Sequence, residues 1–420
     1  MKLSELDLNP VAKIRESTNF TVREVKKVCK NIGPRAPGSE NENKAQDYVI
    51  ETCSKFADTV EKEPFKVASR AFMAWPRVCA IAMLIGVIIY ALTNFISSPV
   101  INDALCGISL AIALICVVII VFDFLLYKPI LDPFFKKTES SNVVFTKKPT
   151  GEVKRRIIFS GHMDSSHEWT YNRLGGAKLV TTVVVLAIVG ISACIIVNVL
   201  SIIFDLSDTV KYIFTGVEGV SVVFFMIGYK YENTKVVVDG ANDDLTGVFA
   251  SLAVLQFLTT NDIKLENTEV IAVSMGSEEA GLRGAKEFVK KHDYSDVETV
   301  FISVDTLRDF EYMAVFNKDM TGLVKHDKQA AALLKKASEM SGLDLPYSSV
   351  WFGSSDAAAI TQGGMKAVLL AAMDPAPARY YHTVNDTADN LDLHSIEKGV
   401  EVLINTTLLF DEQGLKDKYE

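Results

Sequence analysis

Apolar positions are spread unevenly along this chain. Val78 to Ile96 and Ala104 to Phe122 each run about nineteen residues without a charge, close to the roughly twenty needed to cross a bilayer. Between them, Ser97-Ser98-Pro99-Val100-Ile101-Asn102-Asp103 is rich in turn formers, which predicts a tight hairpin. A second pair follows: Leu179 to Phe204 is uncharged throughout, and Tyr212 to Tyr229 is interrupted only by Glu218. The pattern therefore predicts about four transmembrane helices as two hairpins, over 76–127 and 179–229. For the fourth segment a buried core helix is the competing reading, because it is short and carries a carboxylate.

The remaining segments, 1–75, 128–178 and 230–420, alternate on a shorter scale. Val22 to Lys30, Lys44 to Phe56, Val248 to Leu258, Gly284 to Lys291, Gln329 to Met340 and Ser395 to Phe410 carry helical patterns. Arg156 to Ser160, Glu269 to Ser274, Thr299 to Val304 and Ala367 to Ala371 read as short apolar strands. Strands alternating with helices predict an α/β fold: one discontinuous domain, a three-layer sandwich with a largely parallel central sheet flanked by helices. Chemistry in such sheets collects at the carboxyl ends of the strands.

Composition narrows the function classes. In 420 residues, 43 Lys and Arg face 52 Asp and Glu, a net charge of −9 that argues against nucleic acid as a partner. The six cysteines include no CxxC pair and read as small buried hydrophobes in a reducing compartment. Met1 to Thr18 lacks the basic-then-apolar layout of a cleavable signal. Arg70, Arg77, Lys128, Lys136, Lys137, Arg173, Lys178, Lys230 and Lys235 flank the outer ends of the hairpins, whereas the tips carry Asp103, Asp205 and Asp208 against Lys211. The positive-inside bias then expects an integral protein of the cell membrane with its remaining domain in the cytoplasm.

Acids and histidines collect where the predicted strands end. His162 and Asp164 follow the first strand, and Asp243 and Asp244 lie in the Gly240 to Gly247 loop. Glu278 and Glu279 follow Ser274, Asp305 follows Val304, and His382 lies beyond Ala371. Two imidazoles with several carboxylates form a nitrogen and oxygen ligand set that suits Zn²⁺, with Mn²⁺ or Co²⁺ as substitutes. Singly, such acids are most often helix caps or solvated loop residues.

Together the ordered runs Gly161-His162-Met163-Asp164, Gly240-Ala241-Asn242-Asp243-Asp244, Gly276-Ser277-Glu278-Glu279-Ala280-Gly281, Val304-Asp305 and His382-Thr383-Val384-Asn385-Asp386-Thr387 closely resemble the M28 family of co-catalytic zinc peptidases. Ile32-Gly33-Pro34-Arg35-Ala36-Pro37-Gly38-Ser39 is similar to that family's opening segment, and Ser355-Asp356 also matches its pattern. The resemblance implies a two-zinc exopeptidase whose peptide substrate is cut by an activated water. It makes Asp243 the carboxylate between two metals, with His162 and Asp305 completing one site and Glu279 and His382 the other. Glu278 becomes the general base, and Asp164 the acceptor that orients the His162 imidazole.

Asp244 stands where the family commonly has Asn, and Asp239 lies nearby, so a bridge shifted along this loop is an alternative to Asp243. Ala285 stands where Ser is frequent. The family resemblance favours an aminopeptidase, while Arg308 or Arg379 could bind the substrate carboxylate that a carboxypeptidase needs. Two other functions compete: a glutaminyl cyclase-like acyltransferase with a single zinc, and a catalytically silent peptidase-fold subunit of a membrane complex. The lipid bilayer is the other expected partner, and no oligomeric state follows from the sequence.

Overall fold

The computed structural model describes residues 9–350, 353–376 and 378–419. In chain order its elements are α1 (Pro10–Asn31), α2 (Glu40–Cys53), β1 (Thr59–Val67), α3 (Trp75–Ala91), α4 (Pro99–Ile119), β2 (Thr138–Lys147), β3 (Arg155–His162) and β4 (His167–Trp169). Then come α5 (Thr170–Ile203), α6 (Asp208–Tyr229), β5 (Glu232–Val237), α7 (Thr246–Thr260), β6 (Thr268–Met275), α8 (Arg283–Lys291), β7 (Glu298–Leu307), β8 (Met313–Asp319) and β9 (Val324–Lys325). The last are α9 (Lys328–Met340), β10 (Tyr347–Ser349), α10 (Asp356–Gln362), β11 (Ala367–Ala372) and α11 (Leu393–Gln413).

These elements divide into two compact units. One comprises Met1–Ser69, Lys137–His167 and Val237–Glu420, and the other Arg70–Lys136 and Glu168–Val236. The helical unit takes in more chain than the apolar runs alone, because the connecting loops and most of the β4–β5 ribbon belong with the helices.

The first unit is built on a sheet of order β1-β2-β6-β3-β7-β11-β8-β10, with β9 beside β8. Its centre, β6-β3-β7-β11, is parallel, whereas β1, β2 and β8 run antiparallel to their inner neighbours. The central strands are buried on both faces and therefore read as continuous apolar runs. One face, with Ile157, Phe159, Val270, Ala272, Ile302 and Leu370, joins a single apolar cluster with residues of α1, α2, α7, α9 and α11. Helices α8 and α10 pack together against β2, β7 and β11, where Phe288 meets Phe301 edge-on. At the margin, β1 is mostly exposed and contains Pro64, which an edge strand tolerates.

Helix α7 sets the height of the site. Residues 246–258 are buried all round, as in a helix enclosed by a core. Its start touches two strands because glycines leave room. A Cβ on Gly161 would come within 2.2 Å of the Val248 nitrogen, and one on Gly247 within 2.3 Å of the Val304 carbonyl oxygen. The loop preceding α7 is thereby held against the carboxyl ends of β3 and β7.

In the second unit, Phe72–Phe95, Pro99–Leu125, Thr170–Ile203 and Asp208–Tyr229 are long and apolar enough to cross a membrane. They pack around Cys79, Ala80, Met83, Val87, Ala113, Cys116, Ile191, Cys194 and Phe225. Their outer faces are also apolar, with Ile81, Ile85, Ile115, Ile188, Ile196 and Val220 all exposed. Gly176, at φ +67°, breaks α5 near its start. Glu218 is fully buried and accepts a hydrogen bond from Asn198 Nδ2 at 2.7 Å, tying α6 to α5.

Candidate metal centre

Every residue assigned a ligand role in the sequence lies at the carboxyl end of the parallel strands. His162 is the last residue of β3, and Asp305 lies near the end of β7. Glu278 and Glu279 sit in the turn after β6, Asp243 in the loop before α7, and His382 in the segment after β11. All belong to the first unit.

Asp243 stands between the two imidazoles. Its Oδ1 lies 3.1 Å from His162 Nε2, and its Oδ2 lies 3.0 Å from His382 Nε2. The same His382 nitrogen is 3.0 Å from Glu279 Oε1. Donor atoms of Asp243, Glu279 and His382 gather within 4.8 Å of one another, as do those of His162, Asp244 and Asp305. Glu278 Oε2 lies 4.0 Å from His162 Nε2, beside these groups.

The two neighbouring aspartates of the α7 loop face different partners. Asp244 Oδ1 accepts the main-chain N–H groups of Gly247 and Thr306, both at 3.0 Å, and Oδ2 accepts that of His162 at 2.9 Å. Its carboxylate thus ties the α7 loop to the ends of β3 and β7. Asp243 instead turns both oxygens toward imidazole nitrogens.

Other buried carboxylates tie the remaining loops. Asp164 accepts the main-chain N–H groups of Glu278 at 2.9 Å and Glu279 at 3.0 Å. Asp164 also faces the His162 ring, whose Nδ1 lies 3.2 Å from the Asp164 carbonyl oxygen and 3.5 Å from the carboxylate. Once both carboxylate oxygens serve the glutamate turn, the main-chain carbonyl is the nearer partner for the ring. Asp386 accepts from the main-chain nitrogens of Asn242 and Asp243 at 2.9 and 3.1 Å, and from Asn242 Nδ2 at 2.7 Å.

Electrostatics show a site overloaded with acids. Burial, then repulsion from Asp243, pushes Asp305 up to about 6 and Asp386 up to about 7. Burial likewise raises Asp356 to about 7, with Asp164 and Asp305 adding to the rise and His162 opposing it. Glu278 is held well above the usual carboxylate range by burial, with Glu279 adding to it. Burial would also raise Asp243, but hydrogen bonding to His162 and His382 outweighs it and holds this carboxyl well below its ordinary value. Burial works against a charged His382, yet Glu279 and Asp243 carry it up to about 10. A bound divalent cation reverses this logic, because it favours every ionised carboxylate around it.

The residues fit such a cation. Asp243 Oδ2 and Glu279 Oε1 are buried carboxylate oxygens that converge on the same imidazole nitrogen, each at 3.0 Å. Buried carboxylates are normally paired, hydrogen-bonded or coordinated to metal.

Of the two arginines considered for a substrate carboxylate, Arg308 is engaged elsewhere. Arg308 bonds to Asp309 and to Asn390 Oδ1, each at 2.7 Å, so its guanidinium is held within the fold. The six cysteines are free. The loop ties were not evident from sequence, although Asp386 lies inside a motif already singled out and Ser39-Glu40-Asn41-Glu42 has the spacing of a capping box.

The fold is similar to that of solved enzymes. BSAP, a zinc aminopeptidase from Bacillus subtilis, matches at 12% identity and a TM-score of 0.53, with 96% of this chain and 95% of that chain covered. An aminopeptidase from Aneurinibacillus sp. strain AM-1 matches at 14% identity and 0.54, over 97% and 96% of the two chains. A Bacteroides thetaiotaomicron glutaminyl cyclase, bound to N-acetylhistamine, matches at 12% identity and 0.53, over 93% and 97%. At these identities the likeness is one of fold. No curated protein matches the sequence. The model of peptidase family M28 matches residues 204–407, the stretch that holds Asp243, Glu278, Glu279, Asp305 and His382. Over the loops gathered at the strand ends, the chain is therefore similar to peptidase family M28.

Proposed function

We propose that this protein is a membrane-embedded zinc exopeptidase that removes residues from peptide amino termini. The observation that carries this reading is Asp243, whose two oxygens face His162 Nε2 and His382 Nε2 at 3.1 and 3.0 Å. In this reading His162, Asp243 and Asp305 hold one Zn²⁺, and Asp243, Glu279 and His382 hold a second. When bound, the ions lower the pKa of the attacking water and polarise the scissile carbonyl.

The chain's own groups move the proton. Glu278 takes it from water as the oxygen adds to the carbonyl carbon, then delivers it to the amine nitrogen as the C–N bond breaks. Asp164 holds the Glu278 and Glu279 nitrogens, so the base and its neighbour turn together.

The likeness to a glutaminyl cyclase supports the second reading, an acyltransferase on amino-terminal Gln. Detergent-purified protein, given a peptide panel and read by mass spectrometry, separates these functions. Stepwise loss of amino-terminal residues supports the aminopeptidase. Loss of ammonia from Gln peptides alone would establish the cyclase, and trimming from the carboxyl end would establish a carboxypeptidase. Metal bound without any turnover would favour a silent subunit.

The apolar outer faces of the four long helices support a bilayer as their surroundings. The basic outer ends support a catalytic unit in the cytoplasm of a cell with this protein in its cell membrane. Cysteines introduced at Ser98 and Ser207, in the loops joining paired helices, are expected to label from outside intact cells with an impermeant reagent. One introduced at exposed Glu266 of the catalytic unit is expected to label only after lysis. Labelling of Glu266→Cys in intact cells would reverse the orientation.

A further inference from the structure

The opening segment and the first turn of α2 contribute two buried ionisable side chains that reach the loops of the metal centre. Arg35 is fully buried. Its Nε donates to the Met163 carbonyl at 2.7 Å, Nη1 to those of Gly33 at 2.9 Å and Asp239 at 2.8 Å, and Nη2 to that of Gly240 at 3.1 Å. Met163 follows His162, and Gly240 opens the turn that leads to Asp243. One planar fork therefore spans both loops.

The main chain reinforces this clasp. Arg35 N donates to Ser165 Oγ, and Ser165 N donates to Arg35 O, both at 2.9 Å. Ser165 Oγ donates onward to the Val238 carbonyl at 2.8 Å. Gly240 lies at φ +56°, and a Cβ there would come within 2.6 Å of Ser165 Cβ and 3.2 Å of Arg35 Nη2. The turn is closed directly against the guanidinium.

Glu42, also fully buried, acts on a third loop. Its Oε2 accepts the Gly38 N–H at 2.7 Å. Oε1 accepts the Ser277 N–H at 2.6 Å and the hydroxyls of Ser277 and Ser140, both at 3.0 Å. Ser277 stands immediately before Glu278 and has φ +53°, a conformation costly to a residue with a Cβ. Bonds to both its main chain and its hydroxyl hold it there.

We propose that Arg35 and Glu42 are positioning residues for the reaction: Arg35 fixes the separation of the His162 and Asp243 loops, and Glu42 fixes the turn that presents Glu278 and Glu279. The kinetic side of this rests on the peptidase reading, whereas the effect on metal geometry does not. Burying two ionisable side chains against main-chain groups is expensive. The fold places both where they join ligand loops to one another.

The test uses the full-length protein in detergent, loaded with Co²⁺, with visible absorption, Co²⁺ affinity, steady-state kinetics and melting measured together. Arg35→Lys keeps the charge but loses the fork that reaches several carbonyls at once. It is expected to alter the Co²⁺ spectrum and to weaken Co²⁺ binding and kcat by about 10- to 100-fold, the usual scale for residues that orient ligands. KM is expected to change less than about threefold. Glu42→Gln keeps the shape but loses an acceptor, with kcat reduced by about tenfold or more. A parent-like Co²⁺ spectrum and parent-like kcat in both variants would overturn the proposal, even if both melt at lower temperature. Should Arg35→Lys fail to fold, the same readouts on Glu42→Gln decide. A parent that binds Co²⁺ but hydrolyses no peptide counts against the peptidase reading, and the spectra still judge the positioning roles.

Discussion

Glu278→Gln is expected to leave metal content unchanged while lowering kcat by about 10²- to 10⁴-fold, the usual worth of a positioned proton-transfer group. The substitution is nearly isosteric, and the Glu278 main-chain nitrogen stays bound to Asp164 Oδ1 at 2.9 Å. What disappears is the ability to accept a proton and give it back. Glu279→Ala is expected to differ, because it removes an oxygen that lies 3.0 Å from His382 Nε2. That variant loses metal as well as turnover. Elemental analysis beside initial-rate kinetics distinguishes the two, and a Glu278→Gln protein with near-parent kcat would remove Glu278 from the mechanism.

The parts of the fold legible in the sequence are those where burial follows a simple period. β3, β6, β7 and β11 are enclosed on both faces, so each appears as a short apolar run. The antiparallel flanks are much less visible. β1 is mostly exposed, with Glu61 and Lys62 open to solvent, and it buries the charged Glu63 against His292. β2 opens with Thr138-Glu139-Ser140-Ser141-Asn142, of which the last three are buried. Hydrogen bonds hold two of them inside: Ser140 serves Glu42, and Asn142 bonds to the main chain of Gly276 and Gly284. A polar residue retained for such a bond defeats a reading based on hydrophobic pattern. Helix α1 shows the same effect. It begins at Pro10, well before the apolar spacing suggests, and its buried Ser17 bonds to Gln256 across to α7.

The site divides the same way. Its ligand candidates stand in short motifs just past strand ends, where topology leaves few alternatives. The groups that orient them come from distant segments, and their burial is a property of the fold. Glu42 in isolation is an acid in the first turn of a helix. Only the sheet, by bringing the Ser277 turn beside α2, turns it into an internal partner.

The adjacent aspartates of the α7 loop give the sharpest remaining test, since either could have served as the bridge on sequence grounds. Asp243→Ala is expected to lower metal content at both sites and to reduce kcat by about 10³-fold or more, the several kcal/mol that a two-metal clamp supplies. Asp244→Asn is expected to keep its metals. Its amide oxygen can still accept from Gly247 and Thr306, but its NH₂ faces the His162 N–H that Asp244 Oδ2 now accepts at 2.9 Å. One buried main-chain donor is left unsatisfied, at a cost of about 1–3 kcal/mol in stability. Metal content and thermal unfolding of the two variants therefore diverge in opposite senses. An Asp244→Asn protein that melts like its parent but loses metal would instead make Asp244 a ligand, as its place within 4.8 Å of the His162 and Asp305 donors allows. Asp243 would then owe its two imidazole contacts to charge pairing alone.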